Sequence, residues 1–146
     1  MLVRLMYASR AATNLDNEEV TAILRKSRAT NAREGLTGAL CLCNSGRLFI
    51  QVLEGGRNAV SRRYNRIVAD TRHTDVTLLQ FEEIDERRFA GWSMGQVNMA
   101  RLNPGLILKY SELGNLDPWS VSGEATAALF DEMIATAAII DRKSVV

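Results

Sequence analysis

Leu48-Phe49-Ile50-Gln51-Val52-Leu53-Glu54-Gly55-Gly56 opens with six residues that are all apolar except Gln51. A strand with that pattern meets hydrophobic surroundings on both faces, so it belongs inside a sheet with a layer on each side. Gly55-Gly56 ends the run, and Val60, Tyr64, Ile67, Val68 and Thr71 follow at helical spacing. The remaining elements are placed by working outward from this strand and helix.

Upstream, Leu2 to Ala8 reads as a first strand, and Asp16 with Glu19 three residues later forms a capping-box signature. Val20, Ile23 and Leu24 carry that helix to about Asn31, Glu34-Gly35 breaks it, Leu36 to Cys43 forms a second strand, and Asn44-Ser45-Gly46 turns the chain. Downstream, Val76 to Ile84 and Trp92 to Val97 read as a fourth and a fifth strand. The order βαββαββ predicts an α/β (α+β) ferredoxin-like domain over residues 1–98, with a five-stranded sheet and two helices on one face.

Residues 99–146 read as a C-terminal helical extension. Asn103-Pro104 starts one helix and Gly114 stops it; Ser122 caps a last helix bearing Leu129, Met133, Ile134, Ala137 and Ile140. If Phe49, Gln51 and Leu53 face the two main helices, Leu48, Ile50 and Val52 face away. That second face is then covered by the tail helices or by a neighbouring subunit.

The 146 residues carry 18 basic and 17 acidic side chains, so no charged surface for nucleic acid or anionic lipid stands out. Arg4 interrupts the apolar start and no window is long enough to span a membrane, which predicts a cytoplasmic protein. Cys41 and Cys43 alternate onto the same strand face and read as buried thiols; with only His73 besides, no metal site is expected.

Several polar residues fall where a core is expected, and a buried polar group left unpaired costs about 1 to 3 kcal/mol. Ser27 and Asn31 follow Ile23 at steps of four, on the inward side of the first helix, although Asn31 also suits a helix end. Ala59, Arg63, Arg66, Asp70 and His73 form a stripe on the second helix that suits either a polar planar ligand or a solvated face with internal ion pairs. Tyr7 alternates with Val3, Leu5 and Ser9, and Gln51 with Phe49 and Leu53. Since strands one and three are neighbours in this topology, Tyr7 and Gln51 can meet beneath Asn31 and Arg66. Either they satisfy one another or they line a ligand pocket.

At these residues the chain resembles the BLUF family of flavin-binding blue-light sensors. The similarity rests on Leu5-Met6-Tyr7-Ala8-Ser9, on Asn31 with Gly35-Leu36-Thr37-Gly38, on Phe49 to Gly55, and on Phe89-Ala90-Gly91-Trp92-Ser93-Met94. The tail resembles that of short, stand-alone members without a catalytic output domain. What the resemblance implies is a photosensory flavoprotein and not an enzyme, binding FAD, with FMN left open. Asn31 and Arg66 would hold the polar carbonyl edge of the flavin; Ile23, Leu24 and Ile67 would sandwich its faces; Asp70 and His73 would stand near the ring or the ribityl chain; Ser9 and Ser27 would belong to the same flavin-binding set.

In such a sensor Tyr7 gives an electron to the excited flavin while Gln51 relays a proton, and recombination leaves the amide rearranged. The amide suits this part because it carries a donor and an acceptor on one side chain. Strand five, through Trp92 or Met94, would pass the change to the tail, to a downstream protein partner or across a homo-oligomer interface. Two rival readings are a flavin-dependent oxidoreductase, distinguished by turnover with nicotinamide cofactors, and a ligand-free ferredoxin-like interaction module, distinguished by a colourless protein.

Overall fold

The computed structural model describes residues 1–43, 47–98, 102–136 and the backbone of 139–140. Its elements are β1 (Leu2–Ala11), α1 (Asn17–Glu34), β2 (Thr37–Cys43), β3 (Leu48–Gly56), α2 (Arg57–Ala69), β4 (His73–Ile84), β5 (Gly95–Val97), α3 (Pro104–Tyr110), α4 (Gly123–Thr136) and β6 (Ile139–Ile140). The sheet order is β4-β1-β3-β2-β5-β6, with β3 in the interior as its apolar pattern requires. All five expected strands are present, and the two-residue β6 adds a sixth beside β5.

Two apolar layers enclose the sheet. Leu5, Tyr7, Leu40, Phe49 and Leu53 pack with Val20, Leu24 and Val60 of the first two helices. On the opposite face Met6, Ala8, Cys41, Ile50 and Val52 pack with Leu129, Phe130 and Met133 of α4. The second face is therefore covered by this chain's own tail. Trp119, between α3 and α4, fixes the tail further: its indole Nε1 donates to Thr77 Oγ1 at 2.8 Å and its ring lies under the Arg10 guanidinium at 4.1 Å. At the start of α4, a Cβ on Gly123 would lie 2.1 Å from the Leu79 carbonyl oxygen, so the helix approaches the edge strand as closely as only glycine allows.

Local chemistry sets the ends of α1. Asp16 accepts from the Glu19 amide while the Glu19 carboxylate reaches back to the Asp16 amide, and Gly35 closes the helix at φ 71°. On the tail face, Arg4 bonds Glu54 and Glu82, its register partners on β3 and β1's other neighbour β4, at 2.7 Å each. Glu54 is fully buried and also accepts from the amides of Arg88 and Phe89, which anchors the connector leading to β5.

Four expectations need correction. The second helix ends at Ala69, so Thr71 and His73 lie beyond it and Asp70 is its C-cap; the Asp70 carboxylate accepts from the Arg72 amide and turns the chain into β4. The fifth strand begins at Gly95 and not Trp92, because side chains of α1 take the Ser93 and Met94 carbonyls. The third helix stops at Tyr110, with Ser111 extended, ahead of Gly114. Ile140 is not helical, since it pairs with Gln96 of β5 in an antiparallel ladder. Asn44-Ser45-Gly46 and Ala137 lie outside the described residues.

Candidate functional site

Tyr7 and Gln51 are direct partners in the β1–β3 register, and both project toward the helices. The Tyr7 hydroxyl donates to Gln51 Oε1, while Gln51 Nε2 lies 3.3 Å from the sulfur of Met94. All three residues are buried. Burial pushes the Tyr7 phenol far above its ordinary value; Tyr64 adds to the shift and the Arg63 cation works against it. Tyr7 therefore stays protonated and donates, and the single amide of Gln51 links a phenol to a thioether.

Asn31, from the inward side of α1, is 1% exposed. Its Nδ2 donates to the Ser93 carbonyl at 2.8 Å, and its Oδ1 has no hydrogen-bond partner among the described residues. Arg28 Nε donates to the Met94 carbonyl at 3.0 Å, and the Gly38 amide donates to the Trp92 carbonyl at 3.1 Å. Three successive carbonyls ahead of β5 are thus held by three donors. Met94 sits beside Gln51 on the helix face, whereas the Trp92 ring packs on the tail side, 6.1 Å from that of Phe89.

A cavity between the sheet and the helix pair is lined by Tyr7, Gln51, Ser27 and Asn31 together with Ile23, Arg66, Ile67, Asp70 and His73. The candidates from four separate chain segments therefore converge on one space. Leu40, Phe49, Arg63 and Arg72 complete the wall. The cavity continues into a groove of about 830 Å³ between α1 and α2, where Lys26, Thr30 and Arg33 join the shared residues Arg63, Arg66 and Arg72.

Leu24 and Ser9 are not on this wall. Leu24 is buried in the core beside Val20, one step round the helix from Ile23, and Ser9 Oγ meets His73 Nδ1 at 2.8 Å at the end of the sheet. The His73 ring also lies 5.0 Å from that of Phe49. Burial lowers the His73 pKa, opposed by Asp70 and assisted by Arg72. Hydrogen bonds from the Arg72 side chain, assisted by its backbone amide and its charge, hold the Asp70 carboxyl at about 2 against the opposing effect of burial.

Glu34, at the end of α1, bridges to α2. Arg66 Nη1 donates to Glu34 Oε1 at 3.0 Å, and Arg63 Nη2 stands 3.9 Å from Glu34 Oε2. In the sequence Arg63 is legible only as one member of a polar stripe, and Arg28 has no periodic signature, because its partner is a backbone carbonyl 66 residues away. A cation directly next to the Ser27–Asn31 row is the one feature that could have drawn attention to it.

The family model of BLUF, sensors of blue-light using FAD, matches residues 2–95. Photoactivated adenylate cyclase subunit beta of Euglena gracilis is 37% identical over 94 residues, covering 64% of this chain and 11% of that protein, and the subunit alpha of the same organism is 41% identical over 86 residues, or 59% and 8%. The chain thus spans about a tenth of the length of these curated relatives. Among solved structures, BlsA in its photo-activated state is 28% identical with a TM-score of 0.80, covering 96% of this chain and all of that one. The dark state of BlrB, a BLUF protein, is 31% identical with a TM-score of 0.71, covering 92% of this chain and 95% of that one.

Proposed function

The chain belongs to the BLUF family of blue-light sensors using FAD, and from that premise we propose that Tyr7 and Gln51 are its photoactive pair and that the cleft between α1 and α2 holds its flavin. The observation that carries this reading is the chain Tyr7–Gln51–Met94, in which one amide receives a phenol with its oxygen and faces a sulfur with its nitrogen. The orphaned, buried Oδ1 of Asn31 fits a flavin as well, since the ring offers an N–H beside its carbonyls and a buried acceptor demands such a donor.

When bound, the flavin supplies a light-absorbing one-electron acceptor. Tyr7 gives up the electron, and its proton moves along the existing hydrogen bond to Gln51. The electron then returns, and a proton returns to Tyr7 once the amide has rotated or tautomerised, which leaves Gln51 with donor and acceptor exchanged, so that it no longer makes the same contact with Met94. Ile23 and Ile67 close the apolar faces, with Leu24 supporting Ile23 from the core. Asn31 and Arg66 orient the polar edge, and Ser27, Asp70 and the Ser9–His73 pair bound the far end.

FAD is favoured over FMN by the size of the groove, about 830 Å³, and by the further cations along it, Lys26, Arg33 and Arg72, which suit a diphosphate. Residues 1–98 are taken as the photosensor and 99–146 as its output extension, with Trp92 and Met94 at the junction. The chain is read as non-catalytic. No described helix is long and apolar enough to cross a membrane, and a cytoplasmic location with a separate downstream protein partner is proposed. Exposed Leu78 and Phe81 on the edge strand β4 favour a homo-oligomer as well.

The test is an absorption spectrum of the purified protein before and after blue light, with the extracted cofactor identified by chromatography. A yellow protein whose flavin band shifts slightly to longer wavelength and returns in the dark is the expected result. A protein that cannot be loaded with flavin, or one that turns over nicotinamide cofactors without a spectral photocycle, would overturn the reading.

A further inference from the structure

Arg63 is the one wall residue whose charge the site does not explain. It projects from α2 into both the cavity and the groove, with its side chain 17% exposed. Its Nε and Nη2 have no hydrogen-bond partner among the described residues. Glu34 does not satisfy it, because that carboxylate spends Oε1 on Arg66 at 3.0 Å and keeps Oε2 at 3.9 Å from Arg63, beyond hydrogen-bond reach. Two guanidiniums therefore share one carboxylate, and the second brings a surplus positive charge with idle donors to the edge of the cleft. Buried donors without acceptors are costly, so such an arrangement persists where a ligand supplies the acceptors.

We propose that Arg63 is a flavin-directed cation, which donates to the polar edge of the bound ring and stabilises the negative charge the ring gains when Tyr7 loses an electron. This rests on the flavin-sensor reading above. In the step concerned, Tyr7 is oxidised by one electron and the ring reduced by one, while the phenol proton passes to Gln51; recombination reverses both transfers. Arg63 exchanges neither electron nor proton. It is a positioning charge that favours the charge-separated arrangement, working in a partly desolvated cleft where a fixed charge counts for more than in water. Glu34 sets how much of that charge the ring feels.

The experiment compares wild-type holoprotein with Arg63→Gln, Arg63→Lys, Glu34→Gln and the Arg63→Gln/Glu34→Gln double variant, measuring flavin dissociation and the reduction potential in the dark. Arg63→Gln should weaken flavin binding about tenfold, the loss of one charge-assisted hydrogen bond in a partly exposed cleft, and make the ring harder to reduce. Arg63→Lys should restore the potential but not the full affinity, since a point charge replaces the planar fork. Glu34→Gln should make the ring easier to reduce, and this gain should shrink in the double variant.

Equal affinity and potential in wild type and Arg63→Gln would overturn the proposal while leaving the sensor reading intact. So would matching losses of stability in Arg63→Gln and Glu34→Gln with no change in potential, which would make Arg63 a helix-bridging residue only. A wild-type chain that cannot be loaded with flavin would overturn both readings at once.

Discussion

Gln51 Nε2 and Met94 Sδ face one another at 3.3 Å, across β3 and the segment that enters β5. The contact spans two elements that β2 separates in the sheet order. It is weak as a hydrogen bond, since a thioether is a poor acceptor. An amide held on one side by a phenol and on the other by a sulfur can therefore turn about without losing much on the sulfur side, and the Tyr7 bond is the stronger restraint.

Removing that restraint tests the pair directly. Tyr7→Phe should keep the cofactor but abolish the red-shifted lit state, and it should lower stability by about 1 to 2 kcal/mol, because Gln51 Oε1 is left buried without its donor. Gln51→Leu should likewise stay yellow and fail to shift. Flash absorption with urea unfolding measures both; a normal photocycle in either variant would remove that residue from the switch.

Met94→Leu keeps the volume and deletes the sulfur. The stability change should stay below about 1.5 kcal/mol, whereas the rate of dark recovery should change, because the lit amide no longer competes for its former neighbour. Trp92→Phe, on the tail face, should alter recovery less. Equal effects of the two substitutions on recovery kinetics would show that contact with Gln51 is not what matters.

Acid should loosen the site through His73. Burial holds its folded pKa below the unfolded value of about 6.5, so the unfolded chain takes up the proton first. Stability is then fully present above about pH 6.5 and is lost as the pH falls through the lower, folded value, with a slope of at most about 1.4 kcal/mol per pH unit for one proton. Asp70, held at about 2, stays charged over this range and adds no slope. His73→Gln should flatten the melting temperature between pH 7 and 5; an unchanged slope would assign it to other groups.

Glu54→Gln addresses the anchor of the connector. The buried carboxylate accepts from Arg4 and from two backbone amides, and breaking a buried charged network of this kind costs about 3 to 5 kcal/mol. The variant should unfold at clearly lower urea concentration, with hydrogen exchange rising first at the amides of Arg88 and Phe89. Protection unchanged at those two amides would show that the connector is held by Phe89 packing alone.

Much of this architecture could be read from residue order. Alternation in β1 and β3 put Tyr7 and Gln51 on one face and Ile50 and Val52 on the other, since a one-residue slip would have buried Arg4 against the helices. The end of α2 was hidden for a physical reason: Arg66, Asp70 and His73 keep helical spacing although the backbone leaves the helix at Asp70, where a side chain bonds the local backbone in place of the next turn. Ile23 and Leu24 look equivalent as apolar neighbours, yet adjacent helical positions point about 100° apart, so only Ile23 reaches the cleft. Whether Met94 or Trp92 meets Gln51 depends on where β5 begins, and that is decided by the long-range bonds of Arg28 and Asn31, which leave no periodic trace.

Those bonds also constrain how a signal would leave the site under the proposed function. With Trp92, Ser93 and Met94 each tied by its carbonyl to a different donor, shifting any one of them alone strands a donor while its neighbours hold the backbone in place. Small, graded excursions are thereby penalised, so in the proposed sensor the segment would act as a latch. Asn31 and Arg28 are one helical turn apart on the same rod, so release of that latch would load α1 and not only the segment beneath it.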